Sequence, residues 1–138
     1  MKKDILFLDA NIIFSAAYRN DSGLLRFWQL ESVKLVSSLY AIEEARRNLD
    51  LSEQRKRLES LLVKLDVISL CHEEITLPKD VIIKEKDKPI LLAAIFARAD
   101  YLITGDFADF GPFYGKKIKD VLILPPAQYL NNIYHEKK

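Results

Sequence analysis

Short apolar runs alternate with longer amphipathic segments along the chain. The apolar runs are rich in Val, Ile and Leu, which is typical of strands buried in a parallel sheet. They lie at 4–8, 33–38, 67–70, 101–104 and 121–124. The segments between them predict helices at 12–19, 23–31, 38–49, 52–66, 89–99 and 125–137. This alternation predicts an α/β fold, with three α/β/α layers and a mainly parallel central sheet of about five strands.

Three residues indicate where helices begin. Asn11 and Ser22 are expected to be N-caps, because their side chains can accept hydrogen bonds from the first free N–H groups of a helix. Pro89 suits the first turn of the helix that it begins. Between residues 71 and 86 the pattern favours no single element, apart from an alternation at Val81–Ile83.

Composition narrows the class of protein only modestly. The 138 residues contain no repeat, low-complexity tract or Gly/Ser linker, which predicts a single domain over residues 1–138. There are 21 Lys and Arg and 20 Asp and Glu, so the net charge is +1 and no strong overall field directs the chain toward nucleic acid. A local basic patch is compatible with that balance.

The sequence shows no pattern for export or membrane insertion. The run Ile5–Leu8 is too short for a signal peptide, and it has Asp4 before it and Asp9 after it. No run approaches the roughly 20 apolar residues that a membrane span needs. Cys71 is the single cysteine, which excludes an intrachain disulfide. We therefore expect a cytoplasmic protein without a membrane partner.

Two aspartates follow two of the predicted strands. Asp9 comes directly after the 4–8 strand, and Asp106 follows the 101–104 strand and Gly105. Parallel strands end at the same edge of a sheet, where open α/β folds bind their ligands. Both carboxylates are therefore expected at one edge.

Three more acids are expected near this edge. Asp87 precedes the 89–99 helix, whose start lies at the same edge if the helix runs antiparallel to the next strand. Glu43 and Glu44 lie in the first half of the 38–49 helix, which also follows a strand. Helical geometry does not choose between these two glutamates, since both flank the apolar stripe.

Clustered carboxylates predict a divalent cation. Acids held a few ångströms apart repel one another, so either their pKa values rise or a cation neutralises them. Carboxylate oxygens are hard ligands, which favour Mg²⁺ or Mn²⁺ over Zn²⁺. Such a cation, alone or in a pair, orients water for attack on a phosphodiester and stabilises the leaving oxygen.

Four of the acids also have a purely structural explanation. Asp9 and Asp87 are suitable helix caps. Glu44 is compatible with a solvated helix face, and Asp109 with a cap for the turn that follows it. The pairing of two strand-end aspartates favours a functional role over these explanations.

Two other functions are compatible with the same residues. A phosphatase of the haloacid dehalogenase type also begins with a strand ending in Asp, which would make Asp9 a covalent nucleophile. That chemistry needs an acid two residues later, where this chain has Asn11. A non-catalytic module that binds RNA or a partner protein is the other alternative.

Three segments carry a wider pattern: FLDANII near the start, EEARRNL in the middle and DKPILLAAIFARADYLITGDFADF toward the end. Together they resemble the PIN domain, a fold of small metal-dependent ribonucleases that includes the toxins of toxin–antitoxin pairs. The resemblance extends from Asp4 to about Tyr129. It implies hydrolysis of RNA phosphodiester bonds with Mg²⁺ or Mn²⁺ and a metal-activated water. It also implies an antitoxin partner and a homodimer, for which the apolar 23–31 segment would supply a face.

The resemblance implies roles for individual residues. The expected catalytic acids are Asp9, Glu44, Asp87 and Asp106. The expected metal ligands are Asp9, Asp87, Asp106 and Asp109. Asn11 is expected beside Asp9 as a supporting polar group. Independently of the resemblance, Thr104 is expected either to end its strand or to hold Asp106 with its hydroxyl.

Basic residues near the acids are candidates for contacts with RNA phosphates. The expected RNA-binding residues are Arg47, Lys116 and Lys117. Lys86 and Lys88 flank Asp87, where they are expected either to lower its pKa or to contact phosphate.

Overall fold

The computed structural model describes residues 2–69 and 75–136, in which a six-stranded sheet forms the centre of the molecule. The strands are β1 (Asp4–Leu8), β2 (Val33–Ser38), β3 (Asp66–Ile68), β4 (Tyr101–Ile103), β5 (Lys117–Ile118) and β6 (Val121–Leu124). Their order is β3-β2-β1-β4-β6-β5, and neighbouring strands are parallel except for β5 with β6. The predicted α/β class with a mainly parallel sheet is confirmed.

Helices connect the strands and cover the sheet. The α-helices are α1 (Ala10–Tyr18), α2 (Leu39–Arg47), α3 (Ser52–Leu62), α4 (Lys88–Phe96), α5 (Phe107–Phe110) and α6 (Pro126–Glu136). Two 3₁₀ helices span Gly23–Gln29 and Gly111–Phe113. Pro89 lies in the first turn of α4, as predicted. Within the described ranges, no helix combines the length and the apolar character that a membrane crossing needs.

Two helices differ from the prediction, one in its type and the other in its first residue. The segment predicted as a helix at 23–31 is a 3₁₀ helix, although Ser22 is its N-cap as expected and accepts a hydrogen bond from the Leu24 N–H. The first helix begins at Ala10, because Asp9 and not Asn11 is its N-cap. The prediction of Asn11 as an N-cap is therefore wrong.

The strand prediction missed one element. The sequence pattern does not predict β5, because two residues are too few to produce a periodicity. The strand predicted at 67–70 begins one residue earlier, at Asp66. Its last residue, Leu70, and the first part of the unassigned 71–86 segment lie outside the described residues.

The strand β1 is buried from both sides of the sheet. Leu6 and Leu8 point into one apolar cluster and Phe7 into the other, and all three side chains are fully buried. Helices α1 and α3 supply the first cluster with apolar residues, and α4 supplies the second. Burial on two faces explains why this strand reads as a continuous apolar run and not as an alternation.

The direction in which strands are added to the sheet reverses at β1. Strands β2 and β3 lie on one side of β1, whereas β4, β6 and β5 lie on the other. Leu8 is opposite Ile103, and the next N–H, that of Asp9, donates to the Ile103 carbonyl at 3.0 Å. The chain therefore leaves β1 and β4 side by side, at the point where open α/β sheets bind ligands.

A tight hairpin closes one edge of the sheet. Strand β5 pairs antiparallel with β6, with Ile118 opposite Val121. The two residues between them, Lys119 and Asp120, have φ angles of 50° and 71°. Two-residue hairpin turns take this left-handed conformation because it matches the twist of the strands that they join.

We expect Leu91→Ala to lower the free energy of unfolding by about 2–5 kcal/mol, because it leaves a cavity at a fully buried position of α4. Val63→Ala is the matched control, since that side chain is 84% exposed and its truncation should change stability by less than about 0.5 kcal/mol. Urea unfolding of both variants measures the difference. Equal losses would contradict the packing of α4 against the sheet.

Candidate active site

The Asp9 side chain is held on both carboxylate oxygens at the end of β1. Its Oδ1 accepts the Ala10 N–H at 2.6 Å and so caps α1. Its Oδ2 accepts the Thr104 hydroxyl at 2.7 Å and the Asn11 side-chain amide at 3.1 Å. The residue is 5% exposed. The capping role and a role at the sheet edge are therefore combined in one side chain, since Oδ1 keeps a further lone pair whereas Oδ2 already accepts two hydrogen bonds.

Asn11 links the ends of β1 and β4 from the first turn of α1. Its amide nitrogen donates to Asp9, and its Oδ1 accepts the Gly105 N–H at 2.8 Å. A Cβ atom at Gly105 would lie 3.3 Å from that Oδ1, which is closer than most Cβ contacts, so glycine suits the close approach. The amide at Asn11 cannot supply the proton that the phosphatase alternative requires at this position, and these hydrogen bonds give it a positioning role instead.

Thr104 is fully buried and joins the two strand-end aspartates. Its hydroxyl donates to Asp9 Oδ2 and accepts the backbone N–H of Asp106 at 3.1 Å. The Tyr114 hydroxyl donates to the Thr104 carbonyl at 2.8 Å, a contact that the sequence pattern gives no signal for. Burial raises the pKa of Tyr114, and the charges of Asp106 and Asp9 raise it further, which keeps this donor protonated.

Asp106 caps the short helix α5. Its Oδ1 accepts the N–H of Asp109 at 3.1 Å. The Asp109 carboxylate instead forms ion pairs with Lys84 and Lys86, each at 2.9 Å. The hydrogen bonds from Lys86 and Lys84 hold the pKa of Asp109 well below its usual value. The explanation of Asp109 as a turn cap is therefore wrong, because both of its carboxylate oxygens pair with lysines instead.

Asp87 carries a buried carboxylate oxygen without a hydrogen-bond partner among the described residues. The residue is 7% exposed and occupies the N-cap position of α4, but its side chain makes no cap hydrogen bond. Burial raises the pKa of Asp87 to about 6, and the neighbouring Asp109 acts in the same direction. An orphaned buried acceptor of this kind is rare in folded proteins and calls for a cation or a water.

The lysines beside Asp87 do not lower its pKa overall, contrary to the first of the two expectations for them. Lys86 Nζ lies 3.9 Å from Asp87 Oδ1 and reduces the shift, but burial and Asp109 outweigh it. Lys88 turns away and pairs with Glu85 at 2.6 Å.

Three acids in this region are close enough to share one ion. Asp87, Asp106 and Asp109 each place a carboxylate oxygen within 4.8 Å of the other two. Asp9 is not a member of this closest group, although the negative charge of Asp106 contributes to its raised pKa, after burial as the main cause. In the described part of the chain the group contains only carboxylates, and such hard oxygen donors suit Mg²⁺ or Mn²⁺.

Four of the acids line a common cleft of about 550 Å³ at the carboxyl edge of the sheet. Its lining includes Asp9, Asn11, Glu44, Lys86, Asp87 and Asp106, together with the apolar side chains of Phe14 and Ile90. The structure also distinguishes the two glutamates of α2. Glu44 lines the cleft, whereas Glu43 pairs with Arg46. The cleft thus brings together the four acids predicted to be catalytic, whereas Asp109 is not among the residues that line it.

The residues predicted to bind RNA lie outside this cleft. Arg47, Lys116 and Lys117 are all exposed, and none is among the residues that line it. The Lys116 carbonyl accepts the Ile123 N–H at 3.1 Å, and Lys116 directly precedes β5, the outermost strand of this half of the sheet. Among the described residues, Lys86 is the cationic side chain that lines the cleft, and it is not one of the residues predicted to bind RNA.

No protein-family model and no curated protein matches this sequence. Among solved structures, the chain is similar to one described as the crystal structure of VapBC2 from Rickettsia felis bound to a DNA fragment from their promoter. The TM-score is 0.64 at 18% sequence identity, over 88% of this chain and 98% of the matching chain. At this identity the likeness concerns the fold, and it supports the PIN-like fold that the sequence segments resemble.

Proposed function

We propose that this protein is a Mg²⁺- or Mn²⁺-dependent ribonuclease of the PIN type. One observation carries the proposal: the buried, unpartnered oxygen of Asp87 lies in a group of three acids beside a cleft that also contains Asp9 and Glu44. An arrangement of this kind destabilises a protein unless a cation neutralises it. Its place, where the strand order reverses, is the ligand site expected for this sheet topology.

The acids of the cleft divide into two kinds of role. Asp87, Asp106 and Asp109 would hold a divalent cation, with Asp9 beside them as a further ligand. When bound, the cation would supply Lewis-acid activation of water and neutralisation of charge on the phosphate. The Glu44 carboxylate faces the same cleft and has no hydrogen-bond or ion-pair partner among the described residues, which leaves it able to accept a proton.

Asn11 and Thr104 position the acids and do not react. Both donate to Oδ2 of Asp9, and they accept the backbone N–H groups of Gly105 and Asp106, which fixes this carboxylate relative to the end of β4. Preorganisation of this kind matters because a displacement of about 1 Å lowers catalytic rates by roughly 100-fold.

RNA is the proposed substrate, and its main support is the PIN resemblance. Arg47, Lys116 and Lys117 are available at the surface for phosphate contacts outside the cleft. An antitoxin partner is proposed because the matching solved structure is a complex, VapBC2, and because PIN domains include toxins of such pairs.

A homodimer is proposed from the resemblance alone. Its expected face, the apolar 23–31 segment, is partly used within the chain. Phe27 is fully buried, and the Trp28 ring nitrogen donates to the Leu61 carbonyl at 3.0 Å.

Cleavage of single-stranded RNA in the presence of Mn²⁺ or Mg²⁺ is the direct test. Asp106→Asn is expected to reduce the rate by at least about 100-fold, because it removes a charged ligand from the proposed metal site. Asp66→Asn is the matched control, since this acid begins β3 and pairs with Lys34 on the surface. Equal rates for wild type and Asp106→Asn, or an undiminished rate in excess chelator, would refute the proposal.

The metal site is also testable without RNA. Mn²⁺ is expected to raise the melting temperature of the wild-type protein, since a ligand that binds only the folded state stabilises it. Asp87→Asn is expected to remove most of that rise, and Asp66→Asn to preserve it. Differential scanning calorimetry with and without Mn²⁺ measures this. A protein that acts only as a binding module would show no Mn²⁺-dependent rise.

The metal-free protein is expected to lose stability as pH rises from about 4 to about 6. The pKa of Asp87 is raised from 3.8 to about 6, so the folded state holds this proton more tightly than the unfolded state does. Asp87→Asn removes that contribution and should reduce the loss by about 1–3 kcal/mol. Urea unfolding in chelator at several pH values measures the difference, and parallel pH profiles for both proteins would contradict it.

A further inference from the structure

Lys86 lies against the same carboxylates that would ligate a metal ion. Its Nζ is 2.9 Å from Asp109 Oδ2 and 3.9 Å from Asp87 Oδ1. Both acids belong to the group whose oxygens lie within 4.8 Å of one another, and Lys86 itself lines the cleft. A positive charge is therefore already placed beside the acids in the metal-free protein.

The backbone of Lys86 is fixed while its side chain can move. The Tyr40 hydroxyl, from the first turn of α2, donates to the Lys86 carbonyl at 3.0 Å. The adjacent turn is closed by the Asp87 N–H, which donates to the Lys84 carbonyl at 3.0 Å. By contrast, the Lys86 side chain is 64% exposed, so the ammonium group can leave Asp109 for solvent without unfolding the turn.

Lys84 pairs with the same acid from a different side. Its Nζ lies 2.9 Å from Asp109 Oδ1, the oxygen that Lys86 does not contact. Lys84 lies beside Ile82, Ala108 and Phe113, and it is not among the residues that line the cleft. The two lysines therefore neutralise the same carboxylate, but only Lys86 lies in the cleft.

The Lys86 ion pair is not an ordinary surface pair. Exposed ion pairs contribute little because water screens both partners. Here the Asp109 side chain is only 6% exposed and has acidic neighbours, so removal of its counter-charges would leave several carboxylates repelling one another.

We propose that Lys86 is the internal counter-cation of the Asp87–Asp106–Asp109 group, and that a divalent ion must displace its ammonium group from Asp109 in order to bind. This inference rests on the proposed metal site. A divalent ion and an ammonium group close to the same oxygen, Asp109 Oδ2, would repel each other strongly, so we expect binding of the metal to break the contact of Lys86 with that oxygen. Lys84 can keep its contact with the other oxygen. The lysine then sets the metal concentration at which the site fills.

The test is Mn²⁺ affinity measured by isothermal titration calorimetry without RNA. Lys86→Met is expected to bind Mn²⁺ roughly tenfold more tightly than wild type, because no ammonium group has to be displaced. Lys84→Met is the matched control, since it also removes one ion pair from Asp109, and it should change the affinity by less than about threefold. Lys86→Arg keeps the charge and should bind no more tightly than wild type.

Melting temperatures give a second readout on the same proteins. Without metal, Lys86→Met should melt below wild type, because the acids lose their counter-cation, and its rise on Mn²⁺ addition should exceed that of wild type. Lys86→Arg should melt near wild type without metal, because it keeps the positive charge. If the Met variant fails to fold, the Mn²⁺ affinity of Lys86→Arg still tests the proposal.

The outcomes separate the two proposals. Unchanged affinity in Lys86→Met, an equal gain in Lys84→Met, or tighter binding in Lys86→Arg would overturn the displacement of Lys86 while leaving the metal site intact. Absence of Mn²⁺ binding in wild type and in Lys86→Met alike would overturn the proposed function itself.

Discussion

The parallel pairing of β1 with β4 is the constraint on which the candidate site depends. It places the residues after Leu8 and Ile103 side by side, and the hydrogen bond from Thr104 to Asp9 then ties the two strand ends together. Because side chains alternate along a strand, a slip of one residue would turn the Thr104 hydroxyl away from Asp9. The Asp9 N–H also donates to the Ile103 carbonyl at 3.0 Å, so the backbone pairing that builds the sheet also sets the geometry of the site.

The same geometry works against the stability of the metal-free protein. Asp87 is buried with an unpartnered oxygen, and its raised pKa shows that ionisation at this position is unfavourable. Lysine side chains neutralise Asp109 but leave that oxygen unsatisfied. A buried, unpartnered carboxylate oxygen beside a cleft is typical of a ligand-binding site. At such sites the groups that function needs commonly lower the stability of the protein. The structure thus combines a well-packed sheet with a locally strained electrostatic arrangement at one edge.

The sequence predicts the fold and the main acids because both follow from local periodicity. Asp9 and Asp106 end apolar runs, and the rule for parallel strands brings such ends together. Glu44 lines the cleft and Glu43 does not because of how α2 is rotated against the sheet. The sequence of the helix alone does not determine that rotation. The sequence shows Lys86 only as a neighbour of Asp87, because its ion pair with Asp109, an acid from another element, depends on tertiary structure. The two-residue strand β5 likewise exists only through its partner strand.

The shortness of β5 also affects how the molecule meets other chains. An outer strand normally exposes a row of unpaired backbone groups that can template the addition of a foreign strand. Here that row is two residues long. One of the two residues is Lys117, and a further lysine flanks the strand at each end, Lys116 and Lys119. Charged residues and short outer strands both disfavour such templating, so this side of the sheet resists self-association. A protein partner would then recognise the chain through side chains on its helices and loops, and not by extending the sheet beyond β5.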